Sequence, residues 1–126
     1  MSVPTPGAIP PKTELETVVR HKMQMVLVVW NDCGYGAEVH KLVAKGFNEK
    51  LAQWESPDFV ALAKALGGDG VLLKDPGEIG GAIAEGLRKG GLYLIDARVS
   101  PSTPTEPYAK VHFGRESHAP LLRPVH

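Results

Sequence analysis

With 126 residues, 14 basic and 14 acidic side chains and a pI near 7.0, the chain is long enough for one domain with a modest core and carries no net charge. That balance argues against a nucleic-acid or anionic-membrane surface, both of which need surplus Lys and Arg, and it leaves little charge repulsion between copies. The single cysteine, Cys33, excludes an internal disulfide. The proline-rich start is not a signal peptide and no apolar stretch approaches a membrane span, so a soluble, cytoplasmic protein is expected.

Residues 1–12 hold four prolines and are read as an extended leader, since proline suits neither a helix interior nor a central strand. Thr13 reads as an N-cap, with Glu16 completing a capping box. Leu15, Val18 and Val19 then form an apolar stripe, and Arg20, His21 and Lys22 close the helix as its dipole prefers. Val26 to Trp30 is short, continuous and β-branched, the pattern of a strand buried on both faces, and the strand is expected from about Met25 to Asn31. Weak helical periodicity runs from Tyr35 to about Lys45 through Val39, Leu42 and Val43, with Gly46 as its stop. Phe47 to Glu55 reads as irregular or as one helical turn. Ser56 then caps a helix with Pro57 at its first position and Phe59, Val60, Leu62, Ala63 and Leu66 on its apolar face.

Gly67 and Gly68 end that helix, and Gly70 to Lys74 is a short strand. Asp75 and Pro76 open a helix to Lys89 with Ile79, Ala82, Ile83 and Leu87 facing inward, and Gly90 and Gly91 stop it. Leu92 to Val99 is the last strand. Strands separated by helices predict an α/β fold, a three-layer parallel sheet of about three core strands with right-handed helical crossovers over residues 13–100. The prolines after Ser100 predict an extended arm over 101–126.

The exit of the first strand is the candidate site. In open α/β sheets, ligands bind beyond the carboxyl ends of the strands. Asn31 and Asp32 stand there, Asp32 offering hard oxygen suited to Mg²⁺ or Ca²⁺, and Gly34 and Gly36 let the backbone turn tightly near a ligand. Asn, Asp and Gly also favour plain turns, so residue type leaves both readings open.

Four stretches in order carry a family resemblance: Thr13 to Arg20, Val28 to Gly36, Pro57 to Ala63, and Leu94 to Val99, with the helix opening Pro76-Gly77-Glu78-Ile79 between the last two. Together they resemble the C-terminal diphosphate-binding domain of thiamine diphosphate enzymes of the acetolactate synthase, pyruvate decarboxylase and benzaldehyde lyase group, truncated on its N-terminal side. The resemblance implies thiamine diphosphate and Mg²⁺ as cofactors. It places Asp32 and the Gly34 carbonyl on the metal. It puts Asn31, Gly34, Tyr35, Gly36 and Ala37 at the cofactor, and makes Glu38 a candidate for proton handling.

The family's metal signature opens with Gly-Asp-Gly and closes with Asn-Asn or a variant, here Asn31-Asp32. Its opening Asp falls at Thr5, between Pro4 and Pro6. Gly68-Asp69-Gly70 spells the opening motif in the wrong place. The other two domains of the family, one of which supplies an activating glutamate, are missing too. The resemblance thus implies a fragment of a decarboxylase or carboligase acting on 2-oxo acids, inactive alone, working as a homo-oligomer or with a partner chain that supplies the rest. The alternative is a non-catalytic remnant or interaction module that keeps the α/β fold.

The remaining polar residues read more plainly. Cys33 has no His placed to pair with it and is expected to be a passive loop thiol. His40 points away from Glu38 on a helix and is expected at the surface. His112, His118 and His126 lack metal-ligand spacing. Ser117, His118 and Asp96 give no triad signal. Trp30 is expected to pack at the strand end. Asp96, inside an apolar strand, is expected to point to an edge or to accept a hydrogen bond.

Overall fold

The computed structural model describes residues 12–114, with side chains from Glu14 onward. The leader over 1–11, the Thr5 slot, Ser117, His118 and His126 lie outside the described residues. In chain order the elements are helix α1 (Lys12–Arg20), strand β1 (Met25–Asn31), helix α2 (Gly36–Ala44), a 3-10 turn (Glu49–Ala52), helix α3 (Phe59–Ala65) and strand β2 (Asp69–Leu73). A 3-10 turn (Pro76–Glu78) then runs into helix α4 (Ile79–Lys89), followed by strand β3 (Leu92–Arg98) and helix α5 (Glu106–Phe113).

The described chain divides into two compact units, one of residues 12–31 and 56–99, the other of 32–55 and 100–114. The first holds the sheet. Its three strands are parallel in the order β1-β3-β2, with Val28 and Val71 both opposite Ile95. A right-handed crossover from β1 to β2 and another back from β2 to β3 travel in opposite directions, which requires helices on opposite faces. The packing agrees. Leu15 and Val18 of α1 and Phe59 and Ala63 of α3 bury against Leu27, Val29, Leu92 and Leu94 on one face. Ala82 of α4, with Ile79 and Ile83 beside it, covers Val28, Leu73, Tyr93, Ile95 and Ala97 on the other. Leu94 and Ile95 have no solvent contact, and each contributes roughly 1.5–3 kcal/mol of burial energy.

Several expectations change at this level. Helix α1 begins at Lys12, so Thr13 lies within its first turn rather than capping it. The cap of α3 is Asp58, whose carboxylate accepts from Ala61 N at 2.8 Å, because the Ser56 hydroxyl is taken by Asn31. Leu87 is 54% exposed; the inward position belongs to Gly86, where α4 comes so close to β3 that an added Cβ would stand 2.6 Å from the Tyr93 ring. Trp30 is 44% exposed instead of packed. Asp69 of the misplaced Gly-Asp-Gly opens β2 and pairs with Lys89 and Lys64. Those ammonium groups, Lys89 first, hold its carboxyl below the usual range.

In the second unit, α2 packs on the 3-10 turn that follows it. Residues 101–114 are not extended throughout, since α5 forms there with Pro107 in its first turn, where a missing N–H costs nothing. Ala109 is its buried residue.

Candidate functional site

Within the first unit, β1 ends in a buried polar cluster. On the α1 and α3 face, apolar rows give way at the carboxyl ends of the strands to Asn31, Asp96 and Arg98. Asn31 Nδ2 donates to Asp96 Oδ1 at 2.9 Å and to Ser56 Oγ at 2.6 Å. The Arg98 guanidinium donates to Asp96 Oδ2 at 3.1 Å. Asp96 lies on the central strand, so the expected hydrogen bond is present and the edge placement is not. The amide protons of Asn31 are committed inside the fold, which makes it an anchor for the loop that begins at the next residue.

The loop has its own architecture. Asp32 Oδ1 accepts from Gly34 N at 3.2 Å, an Asx turn, and Cys33 takes the positive φ of 58° that this turn needs. Gly34 then forms an antiparallel bridge with Gln53, made by Tyr35 N to Ala52 O at 2.9 Å and Trp54 N to Cys33 O at 3.3 Å. The bridge therefore does not use the Gly34 carbonyl. A Cβ on Gly34 would lie 2.7 Å from Ala52 O, and one on Gly36 would lie 2.1 Å from Asp32 Oδ2. At Gly34 the obstacle is backbone, whereas at Gly36 it is the end of the Asp32 side chain. Tyr35 meets Trp54 edge to face at 4.3 Å.

Helix α2 starts immediately after this turn with no side-chain cap. The Tyr35 carbonyl accepts from Glu38 and Val39 N–H. The first-turn N–H groups of Gly36 and Ala37 have no partner within the helix and stand at the positive end of its dipole, an arrangement suited to an anion. Glu38 is exposed and pairs with Lys41 at 3.7 Å. With Lys41, Leu42, Lys45, Tyr35 and Phe47 it lines an open groove of about 380 Å³.

His40 is 5% exposed, contrary to the surface position expected, and its Nδ1 has no hydrogen-bond partner among the described residues. Burial pushes its pKa down, with the Asp32 charge acting in the opposite sense. Tyr108 of α5 lies over it, ring centroids 6.1 Å apart, and donates its hydroxyl to the Ala37 carbonyl at 2.5 Å. Neither role follows from motif matching; the small residues Ala37 and Ala44 flanking His40 at one turn are the one sequence signal of a close approach there.

As a divalent-cation site, the described residues give no group of three His, Cys, Asp or Glu side chains. One carboxylate and a backbone carbonyl do not hold a bare ion. They do fit an ion that arrives with phosphate oxygens, because Mg²⁺ commonly takes one or two carboxylates together with phosphates and water.

A parallel sheet covered on both faces, with a glycine-bracketed carboxylate turn following one strand and an uncapped helix after it, defines an α/β domain of the phosphate-ligand type. The chain belongs to the family described as thiamine pyrophosphate enzyme, C-terminal TPP binding domain, whose model matches residues 11–97. It is 29% identical over 89 residues to acetolactate synthase of Bacillus subtilis (strain 168); the match spans 71% of this chain and 16% of that synthase. In fold it is similar to the thiamine diphosphate-dependent 4-hydroxybenzoylformate decarboxylase of Rhodococcus jostii RHA1, with a TM-score of 0.66 and 23% identity. That likeness covers 78% of this chain and 19% of the decarboxylase. No helix among the described residues is long and apolar enough to cross a membrane.

Proposed function

We propose that the domain binds thiamine diphosphate with Mg²⁺ at the loop following β1, and serves as the diphosphate-binding part of a cytoplasmic 2-oxo acid decarboxylase or acetolactate synthase-like carboligase. The observation that carries this reading is the Asp32 carboxylate folded over Gly34 and Gly36 directly ahead of an uncapped helix. Asp32 and the Gly34 carbonyl would hold the metal. The N–H groups of Gly36 and Ala37 would face the diphosphate, with Tyr35 beside it. Asn31 fixes the origin of the loop from within the fold. When bound, the cofactor supplies the carbanion-stabilising chemistry, and the protein supplies position and charge. Glu38 is the proton-handling candidate, held near Lys41.

The chain matches only a small share of its relatives' length. Catalysis is accordingly assigned to an assembly, either a homo-oligomer or a complex with a chain supplying the other domains, and not to this domain alone. Thermal shift with thiamine diphosphate plus Mg²⁺ tests the binding reading. A rise in Tm that Asp32→Ala abolishes is expected; no response at millimolar ligand would refute it. The second reading, a non-catalytic interaction module, is favoured by the lack of an acidic partner for Asp32 among the described residues, and the same null response would select it.

A further inference from the structure

Helix α5 lies beyond the residues that match the family model, yet Tyr108 stands on the first two turns of α2. It binds the Ala37 carbonyl and covers His40, and burial, with the Glu38 charge adding a smaller share, raises its own pKa. Ala37 and Glu38 are also positions that the proposed cofactor site uses at the amino-terminal end of the helix. The attachment is slight. One residue of α5 is buried and Val111 is largely exposed, while the hydroxyl bond to Ala37 and the Tyr108 ring tilted over His40 at 6.1 Å tie the helix to α2. A helix held by so few buried contacts opens at low cost.

We infer that α5 is a self-bound strap on the amino-terminal turns of α2, and that ligand binding at the 32–38 loop competes with it. The inference rests on the proposed thiamine diphosphate site. A ligand whose site is open for only a fraction of the time shows an affinity reduced by that fraction. Loosening the strap therefore strengthens binding.

The test is isothermal titration of thiamine diphosphate with Mg²⁺ into the full chain and two full-chain variants. Tyr108→Phe keeps the ring and removes the hydroxyl bond; Ala109→Glu places a charge at the buried contact. Loss of one such bond predicts about three- to tenfold tighter binding for Tyr108→Phe, and Ala109→Glu is expected to bind at least as tightly. Circular dichroism confirms that each variant is folded. Binding equal to or weaker than the parent chain in both variants overturns the strap while leaving the cofactor site standing. Binding by the variants alone establishes both. If none of the three chains binds, the cofactor reading fails and the strap falls with it.

Discussion

Asn31 and Asp96 are 65 residues apart in sequence and share a 2.9 Å hydrogen bond between side chains that are 3% and 1% exposed. A carboxylate this deep is tolerable only because the Asn31 amide and the Arg98 guanidinium both donate to it. Removing it takes away an acceptor shared by the buried Asn31 amide and the half-buried Arg98 guanidinium. Asp96→Ala is expected to cost about 3 kcal/mol, and Asp96→Asn, which keeps an acceptor oxygen, about half that. Urea denaturation checks both; a loss below about 0.5 kcal/mol for Asp96→Ala would mean the cluster is not coupled to folding.

The two loop glycines should fail in different ways. At Gly34 the obstacle to a Cβ is the Ala52 carbonyl, which is backbone and cannot step aside. Gly34→Ala is expected to destabilise by about 1–3 kcal/mol. At Gly36 the obstacle is the end of the Asp32 side chain, which can rotate away. Gly36→Ala is expected to leave Tm within about 2 °C, a surface-scale effect, while removing the thermal shift with thiamine diphosphate and Mg²⁺. Equal Tm losses in the two variants would contradict this division.

His40 gives the pH dependence. Its imidazole titrates near 6.5 when unfolded and lower when folded, mainly because burial disfavours the charged form. Between those two values the unfolded chain holds more protons, so stability rises with pH through that window. The contribution is complete above about 6.5 and is lost as pH falls toward the folded pKa. NMR titration of the His40 ring should give a midpoint below 6.5, and the fall in Tm between pH 7 and pH 5 should flatten in His40→Phe. A midpoint above 6.5 would show that the Asp32 charge outweighs burial.

The residues that could be read ahead of the structure are those whose local pattern admits one solution. Val26 to Trp30 is a continuous apolar run rich in valine, and the strand expected around it, from about Met25 to Asn31, matches β1. Gly90 and Gly91, both at positive φ, end α4 where they were expected to. What stayed hidden depends on distant partners. Ser56 is as good a cap as Asp58 in isolation; a hydrogen bond from Asn31, 25 residues away, withdraws it. Leu87 satisfies the helical period, but Gly86 lets α4 settle against Tyr93 and turns Leu87 outward. Pro101, Pro104 and Pro107 conceal α5, since a proline in a first turn looks the same in sequence as one that forbids a helix. In the site, the turn around Asp32 was legible from Asp and Gly, whereas the burial of His40 depends on Tyr108, far along the chain.

The strand order has a consequence for how the molecule is made. Among the described residues, β3 is the last strand to be synthesised and the one to which β1 and β2 are both bonded. Until it emerges, β1 and β2 have no ladder to join, and their apolar residues wait unpaired in the growing polypeptide. Such long-range closure is slow by nature, so a pause in translation that keeps Leu92 to Arg98 inside the ribosome exposes the nascent chain to aggregation.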